Sequence, residues 1–151
     1  MIALTDWWDS LGNGQRRLEA EVPDEWGQGR ATFGGLVAGF AVKAAEACVE
    51  PGRSLRSALV TFVSPVRPGP AQAEATLLRS GRAMTLVRAT VLQDGQPRTE
   101  LVAAFGAGRP TALAVTPPPR PDMGVLDLGL GFPYIPGLTP EFTRGFEYRW
   151  D

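Results

Sequence analysis

The stretch Phe33-Gly34-Gly35-Leu36-Val37-Ala38-Gly39-Phe40-Ala41-Val42-Lys43-Ala44-Ala45-Glu46-Ala47-Cys48-Val49 decides the fold. From Leu36 to Val49 its only charges are Lys43 and Glu46. A helix that is apolar on nearly every side is a buried helix. Ala38, Gly39, Ala41, Ala44 and Ala45 give it a thin profile, so a neighbouring sheet can approach closely and wrap around it. Pro51-Gly52 ends it.

On the C-terminal side the hydrophobic period changes to two. Arg56 to Val63 reads as a strand stopped at Ser64-Pro65, and Gln72 to Arg79 as another. Ser80-Gly81 turns the chain into Ala83 to Gln93, with Thr85, Val87, Ala89 and Val91 on one face. Asp94-Gly95 is a type I′ hairpin signal. Pro97 to Phe105 returns with Thr99, Leu101, Ala103 and Phe105 in register. On the N-terminal side, Leu18, Ala20 and Val22 alternate with Arg17, Glu19 and Glu21 in a strand over 15–22. Residues 5–12 read as a short helix with Thr5 as N-cap, Trp7, Trp8 and Leu11 on one face, and Gly12 as the stop. Pro23 to Thr32 reads as a loop. The order is strand, long buried helix, then four antiparallel strands, which is α+β and not a doubly wound parallel sheet.

Residues 107–140 hold Pro110, Pro117, Pro118, Pro119, Pro121, Pro133, Pro136 and Pro140, which oppose regular structure and mark a linker. Phe142 to Trp150 then alternates again, with Phe146, Tyr148 and Trp150 on one face. A structureless linker of that length delivering a single strand is uncommon. The expectation is one domain over 1–106, a Pro-rich linker over 107–140, and the first strand of a truncated second domain over 141–151.

Composition narrows the function. The 44% hydrophobic and 21% charged residues suit a globular chain and argue against disorder. A net charge of -1 without a basic stripe gives nucleic-acid binding no support. Of the basic residues only Lys43 is lysine, an Arg-, Ala-, Gly- and Pro-rich usage typical of GC-rich bacterial coding. The chain has no histidine, which excludes a Ser-His-Asp triad, a Cys-His pair and any His-ligated metal within it. The single cysteine, Cys48, excludes an internal disulfide and reads as a small buried hydrophobe. No signal pattern and no apolar run of the ~20 residues needed to cross a bilayer is present, so no membrane role and a cytoplasmic location are expected.

Phe33-Gly34-Gly35-Leu36-Val37-Ala38 resembles the Gly-Gly helix start of acyl-CoA thioesterases. Phe62-Val63-Ser64-Pro65, Arg79-Ser80-Gly81-Arg82-Ala83-Met84, Gln93-Asp94-Gly95 and Ala104-Phe105-Gly106 resemble, in that order, the paired-strand pattern of the thioesterase II-like, double hot-dog family. The likeness covers roughly residues 15–106, and the linker with Phe146 to Trp150 resembles the join to a second repeat. It implies a hot-dog fold, a single long helix wrapped by a curved antiparallel sheet, with this chain as the N-terminal half.

The implied activity is hydrolysis of acyl-CoA to free fatty acid and CoA, in lipid metabolism, with CoA present only as part of the substrate, no other cofactor and no metal. The implied partner is a second hot-dog repeat or another copy of the chain, hence a homo-oligomer. Phe33, Gly34, Gly35 and Leu36 would bind substrate. The first helix amides can meet a developing oxyanion, and residues without Cβ let substrate reach the backbone. The Gly-Gly pair equally serves close packing of the helix start on the sheet. Arg82 is a candidate for a CoA phosphate, and Trp26 and Phe33 for the acyl channel or the core. A catalytic base is not identified. Asp24 and Glu25 are the candidates, and solvated loop carboxylates are their alternative reading. Relatives of the thioesterase II type carry Asp, Thr or Ser, and Gln in the second repeat. Two other readings stand beside this one: a non-catalytic acyl-CoA-binding or structural half, and a hot-dog enoyl-CoA hydratase or dehydratase, which would need a histidine from elsewhere.

Overall fold

The computed structural model describes residues 2–12, 14–119 and 130–150. The central helix α2 runs Gly34–Glu46. Only Gly35 and Glu46 of it are exposed, as its composition predicts. It follows α1 (Leu4–Ser10), β1 (Arg17–Val22) and a two-residue hairpin of β2 (Gly27–Gln28) and β3 (Ala31–Thr32). After it come β4 (Arg53–Phe62), β5 (Gly69–Ser80), β6 (Met84–Gln93) and β7 (Gln96–Ala107). The five long strands form one antiparallel sheet in the order β1-β5-β6-β7-β4. The fold is α+β, with α2 packed on β5, β6 and β7.

Small side chains set the spacing of helix and sheet. Ala41, Ala44 and Ala45 of α2 are fully buried, and so are Ala73, Ala89 and Ala103 of the sheet. Phe40, Leu36, Val87, Val91, Leu101 and Phe105 fill the space between them. Each such side chain contributes roughly 1.5–3 kcal/mol by leaving water. The face of β6 read from the sequence, Thr85, Val87, Ala89 and Val91, is fully buried. The Asp94-Gly95 turn has φ of 55° and 69°, the two positive angles of a type I′ hairpin.

Several local features differ from the sequence expectation. α1 begins at Leu4, with Ala3 at its N-cap and no side-chain cap, so Thr5 lies inside it. The cause is the Trp7 amide, which donates to the Ala3 carbonyl, while the Trp7 indole donates to the Glu21 carbonyl and holds the helix on β1. Trp8 covers the far side of α2. Its ring lies over the Lys43 ammonium at 4.7 Å, which explains how a lysine can be buried there. The segment read as a loop contains a 3₁₀ turn, Asp24–Trp26, besides the β2–β3 hairpin. Part of the Pro-rich stretch, residues 120–129, lies outside the described residues. Beyond it, β8 (Leu130–Phe132) pairs with β9 (Tyr148–Trp150), and Glu141–Gly145 is a 3₁₀ turn where a strand was expected from Phe142. The Thr143 amide, donating to the Pro140 carbonyl, closes that turn.

The edge strand β4 lies beyond the helix and stays exposed, with Leu55 41%, Leu59 70% and Phe62 57% accessible, followed by Val63 at 54%. An uncovered apolar edge is a pairing surface.

The alanine seam makes a direct prediction. Ala44→Leu forces α2 away from the sheet and should destabilise the fold by about 1–3 kcal/mol, measured by urea denaturation. An unchanged midpoint and slope would show that the seam does not set the spacing.

Candidate functional site

The start of α2 is an uncapped helix end. Phe33 holds the N-cap position without a side-chain hydrogen bond. Its carbonyl accepts from Leu36 and Val37, and its amide donates to the Trp26 carbonyl. Among the described residues the Gly34 and Gly35 amides have no acceptor. They carry the positive end of the helix dipole.

Gly34 lines a cavity of about 420 Å³, with Gly35 next to it in the chain. Gly34 and Val37 of α2 line it, with Thr32 of β3, Thr99 of β7 and the run Phe62 to Val66. That size lies within the range of small-molecule sites. The lining is mainly apolar, and it includes no carboxylate and no cysteine. A Cβ on Gly34 would meet the Phe62 ring at 3.0 Å, and one on Gly35 would overlap the Phe33 ring. The two glycines therefore allow aromatic rings to close on both sides of the helix start.

The C-terminal segment supports this arrangement from outside. Phe142 stacks on Phe33 with centroids 4.4 Å apart and planes 10° from parallel. Phe146 meets Trp26 edge-on at 5.8 Å. Gly145 sits so close to Trp26 that a Cβ there would lie 2.8 Å from the indole. The orientation of Phe33, and so the entry to α2, depends on residues more than one hundred positions away.

The residues singled out from sequence do not all gather here. Gly34 lines the cavity, and Gly35 is exposed beside it. Leu36 is buried in the core at 1% accessible, and Val37 is the residue of the first turn that faces the cavity. Phe33 belongs to the aromatic cluster, and Trp26 is core, its indole donating to the Ile2 carbonyl. Glu25 lines a different hollow, between α1 and β1, which shares no lining residue with the first. Asp24 is exposed and lines neither. Arg82 is exposed in the β5–β6 turn. Sheet register puts that turn near the Thr85–Phe105 pair, six residues along β7 from Thr99, or roughly 20 Å in an extended strand. Arg82 and Gly34 therefore lie at opposite ends of the sheet.

Sequence reading missed Thr32, Thr99 and the cavity role of Phe62 to Val66. A signal for Thr99 existed, since it is a polar residue in register on the buried face of β7. Thr32 carried none, because its strand is two residues long.

A five-stranded antiparallel sheet holding one thin helix, whose unpartnered N-terminus opens on an apolar cavity, defines a hot-dog domain. Residues 22–106 match the family model of the acyl-CoA thioesterase N-terminal domain, and the chain belongs to that family. Among solved structures it is similar to a hot-dog protein of unknown function from Alicyclobacillus acidocaldarius (TM-score 0.80, 24% identity, 99% of this chain and 55% of that one). It is also similar to a protein of Thermobifida fusca assigned as a thioesterase II (TM-score 0.71, 23% identity, 84% and 49%). A third is an acyl-CoA thioesterase II of Mycobacterium marinum (TM-score 0.62, 20% identity, 77% and 43%). The chain thus spans about half the length of each of these relatives. At these identities the likeness shows the fold. No curated protein matches. Among the described residues no helix is long and apolar enough to cross a membrane, and no cluster of metal-binding side chains occurs.

Cys48 lies past the far end of α2 from the cavity. Burial raises its thiol pKa above the usual 9.0, against the smaller opposing pull of Arg16. It should therefore be mostly protonated at neutral pH, and maleimide labelling of the folded chain should accelerate only above the pH at which an ordinary cysteine does. Labelling at pH 7 faster than that of an unstructured cysteine peptide would contradict this.

Proposed function

We propose that this chain is the substrate-framing half of an acyl-CoA thioesterase. The observation that carries the reading is the pair of unpartnered amides, Gly34 and Gly35, beside an apolar cavity in a domain of this family. The thioester carbonyl oxygen would lie against these amides and the acyl chain in the cavity. Water adds to the carbonyl carbon as its proton passes to a carboxylate. The charge that develops on oxygen falls where the helix end favours it. The tetrahedral intermediate then collapses, the carbon–sulfur bond breaks, and CoA leaves as the thiol after taking up the proton.

The base is assigned to a second repeat, because no carboxylate lines the cavity. The second element of the proposal is that β4 is where that partner docks, since Leu59, Phe62 and Val63 stand exposed beside the cavity's own lining. On this reading residues 141–151 begin the second hot-dog.

Thiol release from short, medium and long acyl-CoAs tests the activity, using this 151-residue chain beside a longer product of the same gene. The expected result is release by the longer product and little by the chain alone. Release by the chain alone would place the base within it and make Asp24, Glu25 and Glu46 the residues to replace. Release by neither would contradict the thioesterase reading.

Self-association is expected in addition. Light scattering at high concentration should show a dimer or larger particle, and Leu59→Glu should dissociate it. A monomer at every concentration would rule out β4 as a self-pairing edge.

A further inference from the structure

Buried polar atoms in folded proteins almost always have hydrogen-bond partners, and an orphan costs the full desolvation of the group. Among the described residues three buried side-chain atoms lack one: Thr32 Oγ1, Thr99 Oγ1 and Arg98 Nε. They are not scattered. Thr32 and Thr99 both line the cavity at the start of α2, and Arg98 Nη1 donates to Ser64 Oγ, Ser64 being a third lining residue.

The backbone around them is equally specific. Thr99 pairs with Val91 and Pro97 with Leu92, so Arg98 is the extra residue of a β-bulge. Bulges re-aim side chains and recur beside functional sites. The Arg98 carbonyl accepts from both the Val63 and Ser64 amides, and the Thr32 amide donates to the Val66 carbonyl. These bonds tie β3, the end of β4 and the start of β7 into one corner. That corner holds partnerless hydroxyls in a mainly apolar lining whose other polar side chains are Gln28 and Ser64. Thr99 is fully buried and Thr32 is 5% accessible. Rotation about χ1 exchanges hydroxyl and methyl in either threonine, so each can turn its oxygen to the lumen without moving the backbone.

A cavity for a plain alkyl chain gains nothing from these groups. Valine in place of either threonine would fill the same space without an orphan hydroxyl. A ligand oxygen in the cavity would satisfy them. We propose that this cavity recognises an oxygen substituent on the acyl group, so that the substrate class is acyl-CoA thioesters bearing a hydroxyl or keto oxygen beyond the thioester carbonyl. This rests on the acyl-CoA reading above and narrows it. Thr32 and Thr99 act as specificity-determining residues, with Arg98 positioning the bulge.

Calorimetric titration of the 151-residue chain with butyryl-CoA, 3-hydroxybutyryl-CoA and acetoacetyl-CoA tests this by binding, without requiring turnover. At least one oxygenated ligand should bind roughly tenfold tighter than butyryl-CoA, the effect expected of one buried hydrogen bond gained. Whether the hydroxyl or the keto ligand is preferred tells which group the threonines meet. Thr99→Val should erase the preference for the oxygenated ligands, and Thr99→Ser should keep it. Thr32→Val is the parallel test, should Thr99→Val fail to fold. Equal affinity for all three ligands, or a preference that survives both valine substitutions, would overturn this inference and leave acyl-CoA binding standing. No binding of any ligand would overturn both.

Discussion

The close contact between an alanine-lined helix and an alanine-lined sheet is the constraint on which this structure depends. Ala41, Ala44 and Ala45 on one side, and Ala73, Ala89 and Ala103 on the other, are fully buried. They bring α2 so near β5, β6 and β7 that only Gly35 and Glu46 of the helix are exposed. Protein interiors are packed to crystal-like density, so this spacing is rigid. The free amides of Gly34 and Gly35 are therefore held at a fixed place relative to the lower corner of β7, where Thr99 lies. A helix end positioned by packing, not by a capping side chain, stays available to a ligand.

The same helix leaves the sheet asymmetric. It packs chiefly on the three central strands, while Leu55, Leu59 and Phe62 of β4 remain exposed. The cavity is built from both regions, since Gly34 and Val37 come from the buried helix while Phe62 and Val63 come from the open edge. Whatever covers β4 must also change the mouth of the cavity. The C-terminal segment reaches the other face of the helix start, where Phe142 stacks on Phe33 and Phe146 meets Trp26 edge-on. Docking at the edge and arrival of the C-terminal chain thus act on two sides of the same helix start.

The fold was largely legible because its signals are periodic. The apolar helix, the alternation in β5 to β7 and the Asp94-Gly95 turn each follow from local sequence, and their order specifies an antiparallel α+β arrangement. What escaped has a physical cause in each case. The β2–β3 hairpin is too short to show a period. The Ala3 cap of α1 follows from Trp7 being tied to Glu21, which is a tertiary contact. The turn at Glu141–Gly145 replaces an apparent alternation because Phe142 and Phe146 are drawn to distant aromatic rings. The candidate site was legible only at its helix. Gly34 and Gly35 stood out as a pair, whereas Thr32, Ser64 and Thr99 are separated in sequence and meet only through the β4–β7 pairing and the backbone bonds from Thr32 to Val66 and from Ser64 to Arg98. Arg82 and Glu25 look near the motif in the sequence pattern and lie elsewhere in space, since register along a strand, not order of motifs, sets distance.

The most direct test of the account is to follow the backbone amides of Gly34 and Gly35 by NMR while adding a non-hydrolysable ketone analogue of butyryl-CoA, in which CH2 replaces the thioester sulfur and the carbonyl oxygen is kept. The account predicts that these two amide resonances shift, together with those of Val37, Phe62, Val63 and Thr99, and that their hydrogen exchange slows. Shifts confined to the hollow between α1 and β1, or an analogue that binds while leaving Gly34 and Gly35 unmoved, would contradict the claim that the start of α2 is the substrate site.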